Sequence, residues 1–369
     1  MATASSDLTF QILPNENPVG VSEREEVLKN PGFGKVFSDH MAVVEWSSEK
    51  GWHNARICAR KPFEMDPAGA VLHYAQEIFE GMKAYRNTDG NNAKVTLFRP
   101  DQNAKRMEKS AIRMGMPALP QNIFLEAVEQ LVKIDKDWIP TEEDGSLYLR
   151  PFMFANESFL GVRPAHSFIF CVIASPVGAY FKGEGKPVSV WVEETLTRAS
   201  RGGTGAVKCG GNYAASLAAQ AKAYDKGCDQ VVFLDAAEHR WVEELGGMNI
   251  FFVHEGNVLV TPPLTGTILP GITRASLIQL AHDNGLKVEE RLYSFDEWKN
   301  DAASGKLKEV FACGTAAVIT AIGTIRYEGG EFVVNNNETG DITRALRNQL
   351  VHIQRGEEVD PHNWVKIVA

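Results

Sequence analysis

Lys208 lies in the run Arg198-Ala199-Ser200-Arg201-Gly202-Gly203-Thr204-Gly205-Ala206-Val207-Lys208-Cys209-Gly210-Gly211-Asn212-Tyr213, an amine among small residues with a phenol close behind it. Glycines let other groups approach the backbone closely, and an amine held out of water gives up its proton more readily and becomes nucleophilic. A neutral lysine can then condense with a carbonyl to form a Schiff base. The same run also reads as a glycine-rich hinge loop carrying an ordinary solvated lysine. The segment alone does not choose between the two.

Other residues widen the chemistry. In Leu269-Pro270-Gly271-Ile272-Thr273-Arg274 a proline and a glycine precede a helical run, so the amides of Ile272 and Thr273 would meet an anion at the positive end of the helix dipole. A plain helix start uses the same residues. Gly314-Thr315-Ala316 offers a hydroxyl and turn amides of the same kind, or an ordinary turn. Glu244 stands just before Gly246-Gly247-Met248-Asn249, a chain too lean to wall it off. Such a carboxylate is either a solvated strand end or a partner for a pyridine nitrogen, which it would keep protonated. Among Arg99, Lys105, Arg106, Lys109 and Arg113, one inward-facing guanidinium would grip a phosphate through paired hydrogen bonds, and Arg106 is the candidate. Tyr74 and Phe79 either pack the core or line an apolar pocket.

These residues need elements to position them. Apolar and β-branched runs at 41–46, 94–98, 147–150, 167–174, 188–192 and 229–234 predict strands, and 249–254 with 257–261 predicts a hairpin about Glu255-Gly256. Helical spacing covers 99–114, 122–135, 214–226, 272–282 and 341–354. Strands mixed with helices and no internal repeat predict a mixed α/β, α+β fold. Glycines and prolines between Pro176 and Pro187 mark a linker at 181–188. The expected division is a small N-terminal α/β domain at 1–180 and a larger C-terminal domain at 189–369.

Composition narrows the class. The 369 residues are 44% hydrophobic and 23% charged, enough for two cores. A net charge of −9 argues against nucleic-acid and anionic-membrane partners, and no apolar run has membrane-spanning length. The N-terminus lacks a basic start and an apolar core segment, so a cytoplasmic protein is expected. Cys58, Cys171, Cys209, Cys228 and Cys313 have no Cys-x-x-Cys spacing, and no His-Glu-x-x-His occurs, so neither a disulfide framework nor a metal site is expected.

Read together, Leu72-His73-Tyr74, Phe79-Glu80-Gly81-Met82-Lys83, Leu97-Phe98-Arg99-Pro100, Leu147-Tyr148-Leu149-Arg150-Pro151, Pro176-Val177-Gly178-Ala179-Tyr180, Lys208 to Tyr213, Glu244-Leu245-Gly246-Gly247-Met248-Asn249, Thr261-Pro262-Pro263-Leu264, Ile268-Leu269-Pro270-Gly271 and Gly314-Thr315-Ala316 resemble the branched-chain amino-acid aminotransferases. The likeness runs in order from Phe33 to Trp364. It implies a two-domain fold type IV enzyme using pyridoxal 5'-phosphate to exchange the amino group between leucine, isoleucine or valine and 2-oxoglutarate. A D-amino-acid aminotransferase or aminodeoxychorismate lyase of the same fold is the alternative.

By the resemblance, Lys208 is the Schiff-base lysine and the acid/base, and the C-terminal domain holds the cofactor. Tyr213 meets the cofactor's phenolic oxygen, Glu244 its ring nitrogen, and Arg106, Ile272, Thr273 and Thr315 its phosphate, with Arg198 a further cofactor-side arginine. The substrate pocket maps to Phe33, Tyr74, Phe79, Tyr148 and Gly247, with Arg150 and Ala316 toward the carboxylate. Leu160 and Val162 match a loop that reaches the neighbouring subunit, which implies a homodimer. Two departures stand out: Gly247 replaces the threonine of the animal members, and Cys313 lacks the partner of their Cys-x-x-Cys thiol switch, so no such switch is expected.

Overall fold

A computed structural model describes residues 8–87, 94–142, 145–178, 180 and 186–369. The chain forms two compact units: Met1–Tyr180 with Lys208–Gly210 and His352–Ala369, and Phe181–Val207 with Gly211–Val351.

The first unit contains β1 (Gln11–Ile12), α1 (Val21–Leu28), β2 (His40–Ser47), β3 (Gly51–Ala59), α2 (Ala70–Tyr74), β4 (Glu77–Phe79), β5 (Met82–Arg86), β6 (Val95–Phe98), α3 (Pro100–Arg113), α4 (Gln121–Ile134), β7 (Ser146–Ala155) and β8 (Ser167–Val177). Its sheet runs β1-β3-β2-β8-β7-β5-β6, is extended beyond β6 by the chain's last strand, Val365–Ile367, and carries β4 on β7. Apart from parallel β1 and β3, the pairings are antiparallel. The apolar stripe of α4, Ile123, Phe124, Ala127, Val128, Leu131 and Val132, is buried against β2, β3 and β8.

Two elements of this unit carry the chemistry. Along β7, Leu147, Leu149 and Met153 face one side and are fully buried, so the two-residue period sends Tyr148 and Arg150 to the other side together. Helix α3 starts at Pro100, where a missing N–H costs nothing, and has Asp101 in its first turn and Arg113 in its last, which suits the helix dipole. Its buried face holds Ala104, Met107 and Ala111, but also Asn103, Arg106 and Ser110. Polar groups on a buried helix face need partners, and these have them in the residues around Lys208.

The second unit contains β9 (Val188–Glu193), α5 (Gly210–Asp225), β10 (Gln230–Leu234), β11 (Val242–Leu245), β12 (Asn249–His254), β13 (Val258–Thr261), α6 (Ile272–Asp283), β14 (Lys287–Glu290), α7 (Phe295–Ser304), β15 (Leu307–Gly314), β16 (Val318–Tyr327), β17 (Gly330–Val333) and α8 (Asp341–Arg355). Its sheet is mixed, in the order β11-β10-β9-β16-β15-β12-β13-β14 with β17 on β16. Strand β9 is parallel to both β10 and β16, and β13 to β14. Its core gathers Val190, Val232, Ile250, Phe252, Tyr293 and Trp298.

Three sequence expectations change. Most of the linker, 181–185, lies outside the described residues, and Val188 already opens β9. The C-terminal residues from His352 and the segment Lys208–Gly210 count with the first unit, which therefore holds more of the chain than the second. Backbone pairing of Val365, Lys366 and Ile367 with Phe98, Leu97 and Thr96 accounts for the first of these. The hairpin turn takes in Asn257 as well as Glu255 and Gly256, because His254 pairs with Val258 while Gly256 and Asn257 adopt φ of 76° and 60°.

Candidate active site

Three hydrogen bonds hold Lys208–Gly210 within the first unit. The Phe79 amide donates to the Lys208 carbonyl at 2.9 Å, the Lys208 amide donates to Ser110 Oγ at 3.3 Å, and the Gly210 amide donates to Glu77 Oε1. A side chain at Gly210 would displace that Glu77 carboxylate, so glycine here allows the close approach of the two. The Lys208 amine lies 4.7 Å from the Phe79 ring centroid. Although the residue as a whole keeps some exposure, its amine is withdrawn from water, and this, followed by the charge of Arg106, pulls its pKa down to about 8. Glu80 opposes the shift. Burial also raises the pKa of Glu77, against the lowering effect of the Gly210 amide.

Arg106 is met side-on by Glu80. Arg106 Nε donates to Glu80 Oε1 at 2.7 Å and Nη2 to Oε2 at 2.8 Å, the forked geometry that makes arginine–carboxylate pairs strong. Glu80 is fully buried; Asn103 Nδ2 donates to its Oε2 at 2.7 Å and the Gly81 amide at 3.3 Å. Asn103 and Arg106, one helical turn apart on α3, thus converge on one carboxylate.

Arg150 and Tyr148 form the third group in this unit. Arg150 Nη2 donates to the Tyr148 hydroxyl at 3.0 Å, and the guanidinium carbon sits 4.7 Å from the Phe79 ring centroid. The buried Arg150 Nε–H has no partner among the described residues, an orphan that suits an incoming acceptor. Phe33 packs edge-on to Tyr148, with centroids 5.2 Å apart. The Tyr74 hydroxyl donates to the Leu160 carbonyl. Leu160 and Val162 are exposed, Val162 by 90%.

In the second unit Glu244 is buried on β11. Its Oε1 meets Arg198 Nη2 at 2.7 Å and accepts the Leu269 amide at 2.9 Å, while Asn249 Nδ2 approaches Oε2 at 3.3 Å. Arg198 also donates to the carbonyls of Thr267 and Gly205, at 3.2 and 3.1 Å, so its guanidinium serves to hold Glu244 and the nearby loop. One residue earlier, strand alternation sends Glu243 the other way, into a cavity of about 300 Å³ shared with Trp241 and Ile268. Burial raises its pKa, against a hydrogen bond donated by Thr267 Oγ1.

Helix α6 begins at Ile272 with Gly271 as its cap, and no side chain caps it. Asn249 Oδ1 occupies the space a Gly271 side chain would take. Thr273 is buried in the first turn, and Arg274 is turned away to the Pro262 carbonyl and Glu290. Thr315 and Ala316 form the turn joining β15 to β16, which ends at Val318 with φ of 60°, an unusual conformation for a β-branched residue. Tyr213 lies in the first turn of α5, and its ring would touch a side-chain carbon placed on Gly247 at 3.6 Å.

A phosphorylated pyridine aldehyde needs an amine that can lose its proton, donors for its phosphate and a carboxylate for its ring nitrogen. Taken unit by unit, the first offers such an amine in Lys208 and a phosphate donor in Arg106, and the second offers a buried carboxylate in Glu244 and the uncapped amides of α6, so the residue types suit that group. Glu80, Asn103, Glu77, Ser110 and Asn249 are absent from the sequence-derived site. Glu80 carried one available signal, its place inside the Phe79-Glu80-Gly81 motif. Among the described residues no group of three or more His, Cys, Asp or Glu side chains could hold a metal, and no helix is long and apolar enough to cross a membrane.

The family model of the class IV amino-transferases matches residues 77–325, and the chain belongs to that family. Its members are pyridoxal-phosphate transferases that act on amino acids and 2-oxo acids. The chain is 53% identical over 362 residues to a probable branched-chain-amino-acid aminotransferase of Streptomyces coelicolor, covering 98% of this chain and 99% of the relative. Among solved structures, the Escherichia coli branched-chain amino acid aminotransferase superposes with a TM-score of 0.73 at 27% identity, over 89% of this chain and 100% of that one. The branched-chain amino acid aminotransferase of Thermobaculum terrenum, in its pyridoxal-phosphate form, gives 0.70 at 25% identity, over 88% and 98%.

Proposed function

We propose that this chain is a branched-chain L-amino-acid aminotransferase that uses pyridoxal 5'-phosphate and exchanges the amino group between leucine, isoleucine or valine and 2-oxoglutarate. The observation that carries the reading is Lys208: an amine with its pKa drawn down to about 8, beside an aromatic ring, in a chain 53% identical to a probable enzyme of that name. Pyridoxal phosphate, when bound, supplies an electron sink for a carbanion at the substrate Cα. Lys208 is the residue that would hold its aldehyde carbon, and the same amine, once released, would carry the proton at the substrate Cα. A pKa near 8 suits an amine that must be both nucleophile and base near neutral pH.

Glu244 holds a proton on the ring nitrogen, and Arg198, Asn249 and the Leu269 amide keep its carboxylate aimed. Tyr213 orients the phenolic oxygen. Arg106, Ile272, Thr273 and Thr315 bind the phosphate. Phe33, Tyr74, Phe79, Tyr148 and Gly247 enclose the aliphatic side chain, each buried methylene contributing about 0.8 kcal/mol. Arg150, with its orphaned Nε–H and its bond to Tyr148, receives a carboxylate, a role that the resemblance gives to Ala316 as well. The exposed Leu160 and Val162 cover a second copy of the chain, making a homodimer.

Purified protein incubated with L-leucine, 2-oxoglutarate and pyridoxal phosphate should yield glutamate and the branched 2-oxo acid, with D-leucine inert. Product from D-leucine alone would overturn the assignment. Val162→Asp should shift the protein to monomers in sedimentation, and an unchanged dimer would remove Val162 from the interface.

A further inference from the structure

Strand β11 carries two neighbouring acids to opposite sides, and only Glu244 belongs to the candidate cofactor site. Glu243 is 8% exposed and lines the cavity of about 300 Å³ within the second unit. None of the candidate cofactor or substrate residues lines that cavity. Thr267 Oγ1 donates to Glu243 Oε1 and is bonded in turn to Thr265 Oγ1 at 2.8 Å, and both threonines share the cavity wall, which places the carboxyl at that wall. Glu243 Oε2 has no partner among the described residues. A buried acceptor left open costs free energy that an incoming donor would recover. We propose that the cavity is a second small-molecule site, for a zwitterionic α-amino acid with a small apolar side chain: its ammonium group on Glu243, its carboxylate on Arg201 and its side chain among Trp241, Pro262, Ile268 and Leu292. This goes beyond the aminotransferase reading and does not depend on it.

The groups around the cavity select that class. Asp235 is spent on its own turn, where its two oxygens accept the amides of Ala237, Glu238, Arg240 and Trp241. Glu238 is exposed and accepts from Trp241 Nε1 at 3.2 Å. Glu243 is thus the buried acid of the wall with an open oxygen. Burial raises its pKa and Asp235 adds to the rise, against the Thr267 hydroxyl, Arg198 and Arg201. An ammonium group on Oε2 would favour the ionised carboxylate and form a charge-assisted pair with it. Arg201 is exposed and makes no hydrogen bond or ion pair with a described residue, so its guanidinium is open to a carboxylate through two parallel bonds. The remaining wall is apolar: Pro262 and Ile268 are buried, and Leu292 is exposed. A cavity of this volume lies at the small end of ligand pockets, which limits the side chain to a compact one.

The test is equilibrium dialysis of the full-length protein against labelled cycloleucine, an α-amino acid with a compact apolar ring and no Cα–H, so that transamination does not consume it. The wild-type chain should hold it at a site that Glu243→Gln and Arg201→Gln each weaken about tenfold or more, as the loss of a hydrogen bond to a charged group predicts. Cyclopentylamine and cyclopentanecarboxylate, each lacking one of the two charged groups, should bind there about tenfold more weakly or worse. Arg201 is exposed, so Arg201→Gln decides the matter if Glu243→Gln folds poorly. Cycloleucine held at the substrate pocket instead would be indifferent to both substitutions, and that result overturns the proposal. Absence of binding to the wild-type chain overturns it as well. Cyclopentylamine binding as tightly as cycloleucine would make this a site for simple amines and sink the amino-acid assignment. Loss of transamination with this site intact would count against the function proposed above and leave the present inference standing.

Discussion

Each unit holds one buried arginine–carboxylate pair among its candidate site residues, and the two pairs are built in opposite senses. In the first unit the carboxylate of Glu80 fixes the arginine, gripping two nitrogens of Arg106 while a helix neighbour and a backbone amide hold Glu80 in turn. In the second unit the arginine fixes the carboxylate: Arg198 spends its nitrogens on two carbonyls and on Glu244, which collects an amide and an asparagine as well. The residue being held is the cation in one case and the anion in the other. A held cation suits a phosphate, and a held anion suits a protonated ring nitrogen. The first unit also contains an amine whose proton is loosely held, so it adds chemistry where the second adds only position.

The largest expected effect breaks the comparison at that amine. Lys208→Ala should lower turnover of L-leucine with 2-oxoglutarate by about 10²- to 10⁴-fold or more, since 10²- to 10⁴-fold is the range for a positioned acid/base alone. Near-parental turnover without added amine would return the Lys208 segment to a hinge loop. The next effect is one of stability. Glu244→Ala leaves the buried Arg198 without its carboxylate and should cost about 3–5 kcal/mol in denaturant unfolding, because an unpaired buried charge is expensive. Glu244→Gln keeps the shape and should cost clearly less stability while still lowering turnover. Equal destabilisation by both changes would mean that packing, and not the ion pair, holds β11 in place.

Much of this arrangement was legible along the chain, and the limit follows sequence separation. The apolar spacing of α3 and the alternation of β7 are local periods, so Arg106 on a helix and Tyr148 with Arg150 on one strand face could be read directly. The sequence also carried Lys208 among its glycines. Glu80 was not legible as the partner of Arg106, since 26 residues separate them and a single buried carboxylate leaves no periodic trace. The same is true of Glu77 and the Gly210 amide, 133 residues apart. Nor did the half-exposed run Val365–Ile367 signal that it would cross to β6 and complete the sheet of the first unit. Polar contacts between distant segments depend on the fold and can be read only once the fold is known.

The low proton affinity of Lys208 sharpens the comparison further, because it should make the first unit's stability depend on pH where the cofactor is absent. The folded-state pKa is about 8 and the reference value 10.5, so between these values the unfolded chain binds more protons than the folded one. Stability then rises with pH across that window. Below about pH 8 the folded protein carries the full penalty of a charged, desolvated amine. Lys208→Met should therefore raise the melting temperature of cofactor-free protein at about pH 7, and the gain should shrink as pH approaches 10.5. A gain that is independent of pH would assign it to packing of the methionine and not to relief of charge.

The smallest expected effect lies at Gly247, in the second unit, where the structure leaves room. A carbon added there meets the Tyr213 ring at 3.6 Å, ordinary van der Waals contact, and the glycine has no φ that a side chain would strain. Gly247→Thr should thus change stability by no more than about 0.5 kcal/mol, as for most exposed sites. Its effect should appear instead in the choice among substrates, since a methyl and a hydroxyl beside Tyr213 shrink an aliphatic pocket. A change of one methylene in such a pocket is worth about 1–3 kcal/mol. A single group at the wall should lie at or below the low end, shifting the ratio of kcat/KM for leucine over valine by about tenfold or less, toward valine. A large loss of stability would mean that Gly247 is needed for the backbone of the turn after β11. An unchanged ratio in a stable variant would remove Gly247 from the substrate pocket and leave that pocket to the aromatic and arginine side chains of the first unit.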